Sequence, residues 1–184
     1  MRATAILLTS LFVLGCGKGA PQKQGDFPEP DNWGQLTEVS AEFYAAADVS
    51  PDVVALTKAW YEIGAKSWGN YGPLEFWIVG SSVQAAEELE KKYAAVRTQK
   101  DNTVSLKDYE NRGHGFVSYA KDGNAGLNLI RNEYEKWSGY VITMSSKSPS
   151  PLEEDYKPVL LHEYFHVYQQ AHVHSRNESE RSSQ

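Results

Sequence analysis

The apolar positions of this chain switch repeatedly between a helical and a strand period, which predicts alternating helices and strands. Behind Ser50 as N-cap and Pro51 at the first helical position, Val53, Leu56, Trp60 and Ile63 recur at three- and four-residue intervals. That spacing predicts an amphipathic helix, ended by the turn-rich Gly69-Asn70-Tyr71-Gly72-Pro73. Leu74-Glu75-Phe76-Trp77-Ile78-Val79, closed by Gly80, is a short apolar and aromatic run of the kind that forms a buried strand. A second helix is predicted from Ser81 or Ser82: Ser81 and Gln84 have capping-box spacing, and Ala86, Leu89, Tyr93 and Val96 form one stripe opposite a charged face. Phe116 to Ala120 and Leu127 to Ile130 flank the turn-rich Lys121-Asp122-Gly123-Asn124, and Tyr140 to Met144 follows Ser138-Gly139. These runs read as antiparallel strands. A last helix is predicted from Asp155, a candidate N-cap with Pro158 in the first turn, through Gln170. The expected fold class is α+β, a small antiparallel or mixed sheet packed on helices with a helix at its C-terminal end.

Outside these segments the pattern changes. Met1 to Gly15 carries one positive charge, Arg2, and then an apolar stretch from Ala5 to Leu14, too short to span a bilayer and shaped like a secretory leader. Residues 16–32 hold Pro and Gly with few apolar side chains, and this segment is expected to be a flexible tether. Residues 174–184 are polar without periodicity, which predicts a disordered tail, so the folded domain is expected over 33–173. With 41% hydrophobic and 12% aromatic residues among 184, one core is enough, and disorder of the middle is excluded. A net charge of -6 and the absence of any basic run point away from nucleic acid. Mean hydropathy of -0.53 excludes a multi-span membrane protein, and a single cysteine excludes an internal disulfide.

That cysteine stands at the end of the leader. Val13-Leu14-Gly15-Cys16 resembles the lipobox of bacterial lipoproteins. The resemblance implies that Cys16 becomes a lipidated mature N-terminus and that N-terminal acyl chains hold the protein on a membrane, since two or more chains anchor stably. It also implies a place in the bacterial cell envelope, on the outer membrane in a Gram-negative host, because Gly17 and not Asp follows Cys16.

The predicted last helix carries the chemical signal. At 100° per residue, with His162 at zero, His166 falls at about 40° and Glu163 at about 100°, whereas Leu160, Tyr164, Val167 and Ala171 fall between about 140° and 200°. A chemical face thus stands apart from a core face. Histidines one turn apart, roughly 6 Å along the axis, can both reach one tetrahedral zinc ion. His162-Glu163-Tyr164-Phe165-His166 is H-E-x-x-H, and it resembles the zinc-binding helix of zincin-type metallopeptidases. The resemblance implies a zincin-like fold with His162 and His166 as zinc ligands and Glu163 as general base, cutting a peptide or protein substrate. It further implies an edge strand before the helix that aligns the substrate, the part suited to Tyr140 to Met144. The competing reading is a packed core helix whose histidines hydrogen-bond to neighbours and whose Glu163 points to solvent.

Three residues compete for the third ligand position. His172 has the spacing of the last histidine of metzincins, but Gln169 holds the place of the glycine at which their helix turns. If the helix continues past Gln169, His172 falls at about 280°, away from the pair. Gluzincins, the nearer resemblance, take a Glu from a following helix; eighteen residues follow His166, and Glu178 and Glu180 are the only acids among them. The chain is therefore expected to stop short of a ligand-bearing helix, and an inactive truncated peptidase or a non-catalytic envelope binding module stands as the alternative function. His114, between Gly113 and Gly115, is a further candidate by its loop position.

Overall fold

The computed structural model describes residues 35–101, 104–130, 138–147 and 155–172. The leader, Cys16, the tether, and Glu178 and Glu180 lie outside the described residues. In chain order the elements are β1 (Glu42–Ala45), α1 (Pro51–Trp68), β2 (Leu74–Val79), α2 (Val83–Lys100), α3 (Leu106–Arg112), α4 (Phe116–Asp122), β3 (Ala125–Ile130), β4 (Gly139–Ser145) and α5 (Tyr156–Ala171). They build a mixed α+β fold around one four-stranded sheet in the order β1-β2-β4-β3. β1, β2 and β4 are parallel, and β3 runs antiparallel to β4 at the edge.

The continuous apolar runs of β2 and β4 follow from cover on both faces. Phe76, Ile78, Tyr140, Ile142 and Met144 point to one side and pack with Val53 and Tyr61 of α1 and Leu160, Tyr164 and Val167 of α5. Trp77, Val79 and Val141 point to the other side and pack with Ala86, Leu89 and Tyr93 of α2 and Phe116 and Ala120 of α4. Among the described residues no helix is long and apolar enough to cross a membrane.

Two of the predicted helix starts carry serine caps. Ser50 Oγ accepts the Val53 N–H at 3.4 Å, and Ser82, not Ser81, caps α2 by accepting the Ala85 N–H at 3.2 Å. Asp155 precedes α5 at the predicted place but makes no side-chain cap bond. The buried face of α1 is Val53, Thr57, Tyr61 and Gly64, turned by about one residue from the predicted stripe, and Ile63 is 45% exposed. Gly64 explains the rotation: a Cβ there would stand 2.7 Å from the Tyr164 ring, so α1 and α5 approach closely at this glycine.

Two readings are corrected. Phe116 to Ala120 is helix, not strand: Phe116 and Ala120, one turn apart, are both 0% exposed against the sheet, and Gly115 and Gly123 bound the helix in left-handed conformations. Tyr140 to Met144 is an inner strand between β2 and β3, and the edge strands among the described residues are β1 and β3. On α2, Ala86, Leu89 and Tyr93 are buried and Val96 half-buried, and Arg97 beside them is 2% exposed; its guanidinium pairs with the Glu75 carboxylate of β2.

Candidate functional site

Helix α5 presents the faces its periodicity predicts. Leu160, Tyr164, Val167 and Ala171 are all 0% exposed, and this anchoring turns His162 and His166 outward along the opposite side. The imidazoles meet: His162 Nε2 and His166 Nε2 stand 3.0 Å apart. Two nitrogens bound to one tetrahedral ion at about 2.0–2.1 Å would lie roughly 3.3 Å apart, so the pair needs only a few tenths of an ångström to share a zinc ion. His166 Nδ1 is in hydrogen-bond contact with Gln169 Oε1 at 2.7 Å. Ligand histidines are regularly held through the other ring nitrogen in this way.

Glu163 is 8% exposed, while the histidines contact their helix neighbours as the core-helix reading also expects. Among the described residues its carboxylate accepts no hydrogen bond. Its charged neighbourhood includes Tyr119, whose hydroxyl titrates above its ordinary value, first through burial and then through the charge of Glu163. Gly126 of β3 leaves room for that hydroxyl, since a Cβ there would stand 3.0 Å from it.

The structure does not bring His172 to this pair, and Glu178 and Glu180 lie outside the described residues. The helix continues through Gln169, and His172 packs against Tyr71 and Tyr168 with its Nδ1 2.7 Å from the Tyr168 carbonyl. Among the described residues no group of three or more His, Cys, Asp or Glu side chains is arranged to hold a metal ion. Among the described residues the donors available to zinc are thus two imidazoles. Neither Tyr119 nor the contact of Gln169 with His166 is read from the sequence; for Gln169 the available signal is its position three residues past His166, on a neighbouring part of the same helix surface.

His114 lies on the other face of the sheet. Its ring packs on Tyr93 and Phe116 at centroid distances of 4.4 and 4.6 Å, and its Nε2 meets Thr143 Oγ1 at 2.9 Å and Asn128 Nδ2 at 3.2 Å. The N–H groups of His114 and Phe116 donate to the Glu90 carboxylate, which fixes the loop between the positive-φ glycines 113 and 115. Burial, and then the positive charge of Arg97, push its pKa down to about 4. The folded protein therefore binds this proton less readily than the unfolded chain, whose histidines titrate near 6.5. Stability from this group is complete above about pH 6.5 and is lost as pH falls toward 4, by roughly 3 kcal/mol. Urea unfolding across that range should show the loss, and His114→Gln should flatten it; an equally steep acid limb in the variant would assign it to other groups.

No protein family, curated protein or solved structure matches the chain, so the functional reading stands on the residues themselves.

Proposed function

We propose that this protein is a zinc-dependent metallopeptidase of the gluzincin type, exported and held in the bacterial cell envelope by acyl chains on Cys16. The observation that carries the reading is the convergence of His162 Nε2 and His166 Nε2 at 3.0 Å beside a buried Glu163 on one helix. The leader and the lipobox-like Leu14-Gly15-Cys16 support the location. A zincin-like fold is in keeping with a mixed sheet whose antiparallel edge strand, β3, packs against the histidine-bearing helix.

His162 and His166 would hold the ion through Nε2. Bound zinc would supply Lewis-acid polarisation of the attacking water and of the scissile carbonyl. Glu163 accepts the proton released as the water oxygen attacks the carbonyl carbon, and it delivers that proton to the nitrogen as the C–N bond breaks. Among the described residues the outer edge of β3 has no strand neighbour, and its backbone groups can align an extended peptide by strand addition.

The reading is tested by metal binding. The purified chain is dialysed against zinc and assayed for bound metal; weak binding is expected with two imidazoles, and His162→Ala or His166→Ala should abolish it. Zinc content indifferent to both substitutions would remove the peptidase reading and favour a non-catalytic envelope module.

A further inference from the structure

We propose that Gln169 is a positioning residue that holds His166 in its Nδ1–H tautomer and so leaves the Nε2 lone pair facing His162. The consequence for metal binding rests on the function proposed above; the tautomer does not. The contact is direct, Gln169 Oε1 to His166 Nδ1 at 2.7 Å. A carbonyl oxygen can only accept, so Nδ1 carries the hydrogen. A neutral imidazole protonated at Nδ1 has its lone pair at Nε2. That lone pair meets His162 Nε2 at 3.0 Å, and the contact is a hydrogen bond if His162 donates from Nε2. The contacts along Gln169, His166 and His162 are thus satisfied by one consistent set of protons.

The opposite set is equally well defined. With the Gln169 amide turned over, its NH₂ would donate to His166 Nδ1, and His166 would present an N–H toward the metal position. Only the first arrangement readies His166 as a ligand, because a ligating nitrogen must offer a lone pair; His162, which donates from Nε2 in it, binds through that atom once its hydrogen has moved to Nδ1.

Position 169 also explains itself in these terms. Metzincins carry glycine there and turn the chain, whereas in this protein α5 runs on to Ala171 and keeps the Gln169 side chain within reach of the ring. Gln169 is exposed and belongs to neither face of the core, so replacing it leaves the packing intact.

The experiment uses the full chain with ¹⁵N-labelled histidine, free of metal, at a pH where imidazoles are neutral. Long-range proton–nitrogen correlations should show His166 protonated at Nδ1. Gln169→Leu should shift it toward the Nε2–H form, and Gln169→Glu should restore Nδ1–H because a carboxylate accepts from it. A parent protein with His166 protonated at Nε2, or a tautomer unmoved by Gln169→Leu, overturns the assignment. A second arm titrates zinc chloride alone into the same proteins, where Gln169→Leu should weaken binding about 10- to 100-fold and Gln169→Glu should recover most of it. Equal zinc affinity in parent and Gln169→Leu overturns the metal consequence. A parent that is Nδ1–H yet takes up no zinc upholds the tautomer assignment and defeats the proposed function instead.

Discussion

Glu163→Gln is expected to lower peptide hydrolysis at least ~10²-fold while leaving bound zinc unchanged, the lower end of what a positioned general base contributes. The substitution keeps the size and shape of the side chain but removes its basicity, since an amide oxygen does not accept the proton of an attacking water. Its position favours a clean result. Glu163 is 8% exposed, and among the described residues its carboxylate holds no hydrogen bond that the amide would break. Neither His162 nor His166 depends on Glu163 for its orientation, because their Nε2 contact and the Gln169 contact involve other atoms. Metal content and turnover should therefore separate in this variant, as they cannot in a histidine variant. The measurement is peptide hydrolysis at saturating zinc, with bound metal determined on the same samples. A Glu163→Gln protein that cleaves at the parent rate would show that Glu163 is not the base. A zinc-loaded parent without hydrolysis would leave an inactive truncated peptidase or the envelope binding module as the better account.

What could be read from the sequence divides by the range of the interactions involved. Helix α5 was legible in full, because its core face and its histidine face are both written in a 3.6-residue period and its neighbours only confirm the choice. The start of α1 and the start of α2 were legible for the same reason: a serine cap acts over three residues. The sheet was less so. Strand β1 has four residues and one short apolar-aromatic run, and it exists because Glu42 to Ala45 can pair with Glu75 to Ile78, a partner thirty-three residues away. Helix α3 buries a single side chain, Tyr109, and so shows no stripe. Helix α4 was misread because Phe116, Val117 and Tyr119 favour strands intrinsically, and tertiary packing of Phe116 and Ala120 overrode that preference. The candidate site follows the same division. His162, Glu163 and His166 lie on one helix and could be read together, whereas Tyr119 approaches Glu163 only because of how α4, β3 and α5 assemble.

Glu75→Leu should cost about 3–5 kcal/mol of folding stability. Glu75 sits in the inner strand β2 at 0% exposure, in the middle of an otherwise apolar run. Its Oε1 pairs with Arg97 and with Lys100 Nζ, the latter at 2.6 Å, and its Oε2 accepts the Trp77 Nε1–H at 2.8 Å. Lys100 also pairs with Glu42 of β1, so the group ties α2 to two strands. The favourable part of such an arrangement is not the Coulomb attraction alone, because taking these charges out of water offsets most of it. The cost appears when one partner is removed. Leucine would strip the carboxylate from a guanidinium that is 2% exposed and would leave the Trp77 N–H without its acceptor. Glu75→Gln should be milder, since the amide oxygen can still accept from Trp77 while the charge is lost. The decisive comparison is the double variant Glu75→Leu with Arg97→Met, which replaces both charges by apolar groups of similar volume and should recover most of the loss. Urea unfolding of the four proteins gives the coupling directly. Additive losses in the double variant would mean that Glu75 and Arg97 act independently, and a single-variant cost below about 1 kcal/mol would place the pair among interactions no stronger than an exposed salt bridge.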